Sequence, residues 1–246
     1  MKITICESKE ALGEAAARDG AERIREALRL RGEANIIVAS GASQLAMLDV
    51  LVEAEDIAWH HVTGFHLDEY VGLPITHPAS FRLYMWERFV RRLPLPLAAF
   101  HYIEGDRPPE AERRRLGAIL AQHPIDVAFV GIGENGHIAF NDPPADFRTR
   151  KPYLIVELSE ASRRQQVGEG WFASIDEVPR QAISMSVHQI MKSRAIVCAV
   201  PDLRKAAAVK ASLTGPVTTE VPASILQNHD QATVYLDPDS ASLLRA

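Results

Sequence analysis

Cysteine is scarce. Only Cys6 and Cys198 occur in 246 residues, and each sits in an apolar, strand-like run, I-T-I-C and A-I-V-C-A-V. A disulfide framework is therefore excluded, and buried free thiols are expected. Long apolar runs are missing too. None approaches the ~20 residues that cross a bilayer, and the opening MKITICESKE carries no apolar signal region. Positive charge is not in excess: 27 Lys and Arg face 32 Asp and Glu, for a net charge of −5. That gives no support to a nucleic-acid or membrane-surface partner. No internal repeat, low-complexity tract or Ser/Gly linker divides the chain, so a single domain spanning residues 1–246 is expected. A reducing, cytoplasmic setting follows as the default.

A sizeable core is possible, because 47% of residues are hydrophobic and 24% charged. Apolar runs alternate with amphipathic stretches. Strands are expected at Lys2–Cys6, Asn35–Ala39, Trp59–Leu67, Phe100–Ile103, Ile125–Ile132, Tyr153–Leu158, Ala182–Val187, Arg194–Val200 and Ala232–Leu236, the last closing the sheet. Helices are expected from the Ser8 cap to Leu30, and over Gln44–Val52, Ser80–Val90, Pro109–Gln122 and Pro201–Leu213. Such alternation predicts an α/β fold with a mostly parallel central sheet covered on both faces. Ser159–Asp176 reads as a polar segment with Gly168 and Gly170, mobile in the absence of ligand.

Chemistry-bearing residues gather where strands end, which is where open α/β sheets bind ligands. After Ile125–Ile132, glycines 131, 133 and 136 break the strand and deliver His137 among Glu134, Asn135, Asn141 and Asp142. An imidazole beside groups that orient its ring suits acid–base chemistry. Ser40-Gly41-Ala42-Ser43 joins a strand to a helix and reads either as a phosphate cradle or as a plain cap. Asp68 and Glu69 stand at another strand end. Adjacent strand residues face opposite ways, so one reaches the cleft while the other bonds backbone or an Arg. Lys205 opens a helix, where a cation is favourable only beside an anion.

Two long stretches, F-H-L-D-E-Y-V-G-L (65–73) and G-I-G-E-N-G-H-I-A-F-N-D-P (131–143), resemble the glucosamine-6-phosphate deaminase/isomerase family. S-I-D-E-V-P (174–179) and V-P-A-S-I-L (221–226) support the likeness. The resemblance implies a Rossmann-like three-layer sandwich. It implies conversion of an aminohexose 6-phosphate and water to fructose 6-phosphate and ammonia, with no metal or organic cofactor. The partner it implies is a small sugar phosphate, and the chain a monomer or homo-oligomer. By the same resemblance, Asp68 is the proton-transfer base and His137 assists ring opening. Asp142 stands where the family has a Glu orienting that His, and Asn135 where it has Asp or Asn. Ser40, Gly41, Ala42, Ser43 and Lys205 hold the phosphate. Residues 143–176 correspond to the lid.

Two departures stand out. Gly170 occupies the place of a lid arginine, so either Arg163 or Arg164 supplies the charge or the preferred amino sugar phosphate differs slightly from glucosamine 6-phosphate. Gln44 stands where the phosphate loop commonly has Pro. Two alternatives remain: hydrolysis of the 6-phosphogluconolactonase type, and a non-catalytic sugar-phosphate sensor.

Overall fold

In a computed structural model, which describes residues 1–244, the apolar runs fold as strands and the amphipathic stretches as helices. The first half holds β1 (Lys2–Ile5), α1 (Lys9–Arg31), β2 (Ala34–Val38), α2 (Leu45–Leu51), β3 (Val62–His66), β4 (Asp68–Tyr70) and α3 (Phe81–Arg88). Next come β5 (Ala99–His101), α4 (Pro109–Leu120), β6 (Val127–Val130), β7 (Tyr153–Glu157) and α5 (Glu160–Gly168). The chain continues through β8 (Gln181–Met185), α6 (Val187–Met191), β9 (Ala195–Val200), α7 (Ala206–Thr214) and β10 (Ala232–Leu236).

Seven strands form one sheet in the order β1-β10-β9-β6-β2-β3-β5. Every pairing in it is parallel. Side-chain alternation splits the core in two. Ile36, Val38, Val127, Phe129, Val197 and Ala199 face α1 and α2, packing on Leu12, Ile24, Met47 and Leu48. Ile37, Ala128, Val130, Ile196 and Cys198 face the other way, against Leu116, Leu120, Ile190, Val209 and Leu213 of α4, α6 and α7. This is the three-layer arrangement that the alternating pattern predicts, and Cys198 is a buried free thiol.

Four details differ from the sequence reading. Trp59–His61 is a 3-10 turn before β3, and the fully buried Trp59 ring packs there edge-on against Phe89. β10 does not close the sheet but lies inside it, between β1 and β9. β4, β8 and β7 make a separate, antiparallel three-stranded sheet. Half of the polar segment is helix α5, whose first turn is capped when the Ser162 amide donates to Ser159 Oγ (3.1 Å). Among the described residues no helix is long and apolar enough to cross a membrane.

The topology fixes where a ligand goes. From β2 the chain proceeds outward to β3 and β5, then returns to β6 on the other side of β2. Neighbouring connections diverge at the carboxyl ends of β2 and β6, and such a switch point opens a cleft.

Candidate active site

Four adjacent strands, β9, β6, β2 and β3, each run into a segment that lines one cavity. β2 leads to Ser40–Gln44, β3 to Asp68, β6 to Gly131, Gly133 and His137, and β9 to Lys205. Residues from Ser40 to Lys205, far apart along the chain, therefore share one space. The small antiparallel sheet braces this arrangement. Met185 donates its amide to the Leu67 carbonyl (2.9 Å), and Ser184 Oγ accepts from the Phe140 amide (3.0 Å).

Asp68 and Glu69 diverge, as adjacent strand residues must. Glu69 is fully buried and turns away from the cavity. It accepts from the amides of Tyr70 (2.9 Å), Phe81 (3.2 Å) and Arg82 (2.7 Å) and from Ser80 Oγ (2.8 Å). It thus ties β4 to the start of α3. Burial pushes its pKa up, while those four donors favour the ionised form. Asp68 faces the cavity with one hydrogen-bond partner, Ser40 Oγ at 3.5 Å. Burial first, and the neighbouring Glu69 charge second, push its pKa up to about 7. A carboxylate poised near neutrality is suited to take and return a proton.

His137 also lines the cavity, and a carboxylate stands behind it. Its Nδ1 lies 3.3 Å from Asp142 Oδ1 and 3.1 Å from Ser162 Oγ. Ser162 Oγ in turn donates to Asp142 Oδ1. Asn135 Nδ2 donates to the same oxygen (2.9 Å), and the Ser159 amide donates to Asp142 Oδ2 (2.9 Å). Burial alone would raise the Asp142 pKa. The bond to His137, the positive charge that ring carries when protonated, and the donors Ser162 and Asn135 outweigh burial and hold it well below the usual carboxylate range. Asn135 and Asp142, expected among the catalytic groups, do not line the cavity. They brace the histidine from behind, since Asn135 Oδ1 also accepts from the His137 amide (3.1 Å).

Gly133 permits the close approach. A Cβ there would stand 2.2 Å from His137 Cε1 and Nε2. Gly133→Ala must therefore displace the ring. A misplacement near 1 Å can cost ~10²-fold in rate. The expected result is a loss of that order in kcat for a folded variant, and near-parental turnover would show that the ring position is not critical.

Ser40, Gly41, Ala42 and Ser43 all line the cavity, and so does Lys205. Gln44 fixes the loop by donating from Nε2 to Ser43 Oγ (3.0 Å) and to the Ala199 carbonyl (3.2 Å). Lys205 is 2% exposed. Burial pulls its pKa down, and the carboxylates of Glu169 and Glu134 pull it back. Among the described residues it forms no ion pair. A buried ammonium without a direct carboxylate partner is a site for an anion.

Among the described residues, neither Arg163 nor Arg164 supplies a charge to the cavity. Arg163 donates to the Ile175 carbonyl, and Arg164 pairs with Glu160 on an exposed face. Neither lines the cavity. Gly170 lies just past α5 with φ of 82°, a left-handed conformation that an arginine would resist. Instead α5 and the residue after it supply Gln165, Gln166 and Glu169 to the cavity wall. At its rim Arg204 stands 3.6 Å from Glu169 and 3.4 Å from Glu134. Trp171 and Phe172 dock after α5, Phe172 edge-on to Tyr70 with centroids 5.4 Å apart. The signal that could have revealed α5 was Ser159-Glu160, a cap followed by an acid. Nothing local marked its cavity-lining residues.

A parallel α/β sheet with a buried carboxylate, a carboxylate-backed histidine and a buried lysine around one cavity at its switch point has the makeup of an enzyme site. Comparison with known proteins specifies the family. The model of the glucosamine-6-phosphate isomerases/6-phosphogluconolactonase family matches residues 7–235. A glucosamine-6-phosphate deaminase of Streptococcus uberis is 38% identical over 217 residues, covering 87% of this chain and 88% of that protein. The Oenococcus oeni enzyme of the same name is 35% identical over 246 residues, 99% of each. A solved monomeric glucosamine-6-phosphate deaminase superposes with a TM-score of 0.90 at 32% identity, covering 99% of this chain and 100% of that one. The 6-phosphogluconolactonase of Trypanosoma brucei shares the fold, with a TM-score of 0.81 at 16% identity over 99% of this chain and 98% of that one. The chain belongs to the glucosamine-6-phosphate isomerase/6-phosphogluconolactonase family.

Proposed function

We propose that the protein is a glucosamine-6-phosphate deaminase, converting glucosamine 6-phosphate and water to fructose 6-phosphate and ammonia. The observation that carries this reading is Asp68, a cavity carboxylate with its pKa raised to about 7, in one cavity with a carboxylate-backed histidine. His137 assists opening of the sugar ring. Asp68 takes the C2 proton and returns it at C1 through an enediol-type intermediate. The C2 amine thereby becomes an imine. Water adds to it and ammonia leaves. Lys205 and the Ser40–Ser43 loop hold the phosphate. Helix α5, with Trp171 and Phe172, forms the moving part of a lid within residues 143–176. Lactone hydrolysis is the weaker reading, because the relatives above 30% identity are deaminases and the lactonase shares only the fold.

Lys205→Ala tests the anion site. Charge-assisted hydrogen bonds contribute ~1.5–3 kcal/mol each, so KM for glucosamine 6-phosphate should rise ~10-fold or more, with ammonia as the readout. An unchanged KM would remove Lys205 from the site and leave the loop as a helix cap.

A further inference from the structure

The hydroxyl of Ser162 stands between the His137 ring and the Asp142 carboxylate, whose Oδ1 is also close to that ring. Asp142 Oδ1 lies 3.3 Å from His137 Nδ1. Ser162 Oγ lies against both, 3.1 Å from His137 Nδ1 and in hydrogen-bond contact with Asp142 Oδ1. The residue is 1% exposed. A serine hydroxyl has one proton to donate and lone pairs to accept. Asp142 is ionised and can only accept, so the proton points to it. The Ser162 oxygen then accepts from Nδ1–H of the ring. In the neutral form of the ring that selects the Nδ1–H tautomer and leaves the lone pair on Nε2, on the cavity side.

We infer that Ser162 is a positioning residue that ties the Asp142–His137 pair to helix α5, its hydroxyl holding the ring and the carboxylate in one network. The role of His137 in this inference rests on the deamination proposed above. The hydroxyl has no second duty in the helix. The cap of α5 is Ser159, whose Oγ already takes the Ser162 amide, and whose own amide donates to Asp142 Oδ2. Alanine is the better helix former at an interior position. Ser162→Ala therefore removes the link and leaves the helix intact. The sequence offered no sign of this, because Ser162 meets residues 20 and 25 positions away.

The test is a pair of variants with two readouts. Ser162→Ala should lower kcat by ~10–100-fold, the usual cost of losing a group that orients a functional histidine, with KM unmoved. Combining it with Asp142→Glu exchanges one hydroxyl for one methylene, a swap close to constant volume. The longer carboxylate can then close the 3.3 Å separation from Nδ1 and hold the ring without the hydroxyl, and kcat should recover most of the loss. Nitrogen-15 NMR of the histidine ring supplies the second readout and needs no turnover. The parent should show Nδ1–H as the dominant tautomer, and Ser162→Ala a mixture. If the parent released no ammonia, the deamination reading would fall while the NMR still decided the role of Ser162. Parental kcat in Ser162→Ala overturns the inference. So does a kcat loss that Asp142→Glu leaves uncorrected, or a tautomer that does not change.

Discussion

Asp68→Asn should lower kcat by ~10²–10⁴-fold, the usual contribution of a general base, with KM little changed. Asparagine keeps the shape but cannot take a proton. The pH profile gives an independent check. Asp68 works only when ionised, and burial with the Glu69 charge raises its pKa to about 7. kcat/KM of the parent should therefore fall as pH drops below about 7 and level off above it. Stability runs in the opposite sense. A carboxyl whose pKa is raised on folding stabilises the fold fully below its ordinary pKa, and that contribution is lost as pH rises through about 7. Above pH 7 the neutral amide introduced by Asp68→Asn avoids the burial of a charge, so the variant should unfold no more easily than the parent. An inactive variant is then inactive for want of a base. A loss of less than about tenfold would remove Asp68 from the base role.

Glu69→Ala should destabilise the fold by roughly 3–5 kcal/mol, because it strands several buried donors at once. Three amides and the Ser80 hydroxyl converge on this fully buried carboxylate. Domains of this kind have about 5–15 kcal/mol in total, so a large share of the stability rests on one side chain. Urea unfolding should show a lower midpoint with an unchanged slope. A loss under ~1 kcal/mol would mean that the stranded amides find water or a new partner. The two neighbours thus give opposite signatures: one variant is stable and inactive, the other unstable.

The sequence made the central sheet legible because its buried strands read as continuous apolar runs ending in Gly, Ser or Asp. Asn35–Ala39, Ile125–Ile132 and Arg194–Val200 fell within one or two residues of β2, β6 and β9. The same strand ends placed Ser40, Asp68, His137 and Lys205 at one edge. The second sheet was harder to see. β4 follows β3 after Leu67 alone, and its residues are Asp, Glu and Tyr, so local pattern gives no cue to a change of sheet. Helix α5 was missed for a related reason. Of its nine residues, EASRRQQVG, only Ala161 and Val167 are hydrophobic, so it shows no apolar stripe. Its place at the cavity depends on distant contacts, such as the Glu134 amide donating to Gln165 Oε1 across the gap from the β6 loop. Arg163 and Arg164 lie in the segment where a compensating charge is expected, but their side chains turn to Ile175 and Glu160.

The most direct test of the deaminase reading is a side-by-side assay of the parental protein and Asp68→Asn. Ammonia release from glucosamine 6-phosphate is measured against hydrolysis of 6-phosphogluconolactone. The expected result is ammonia and fructose 6-phosphate in equal amounts from the parent, almost none from the variant, and negligible lactone hydrolysis by either. Rapid lactone hydrolysis without ammonia release would contradict it.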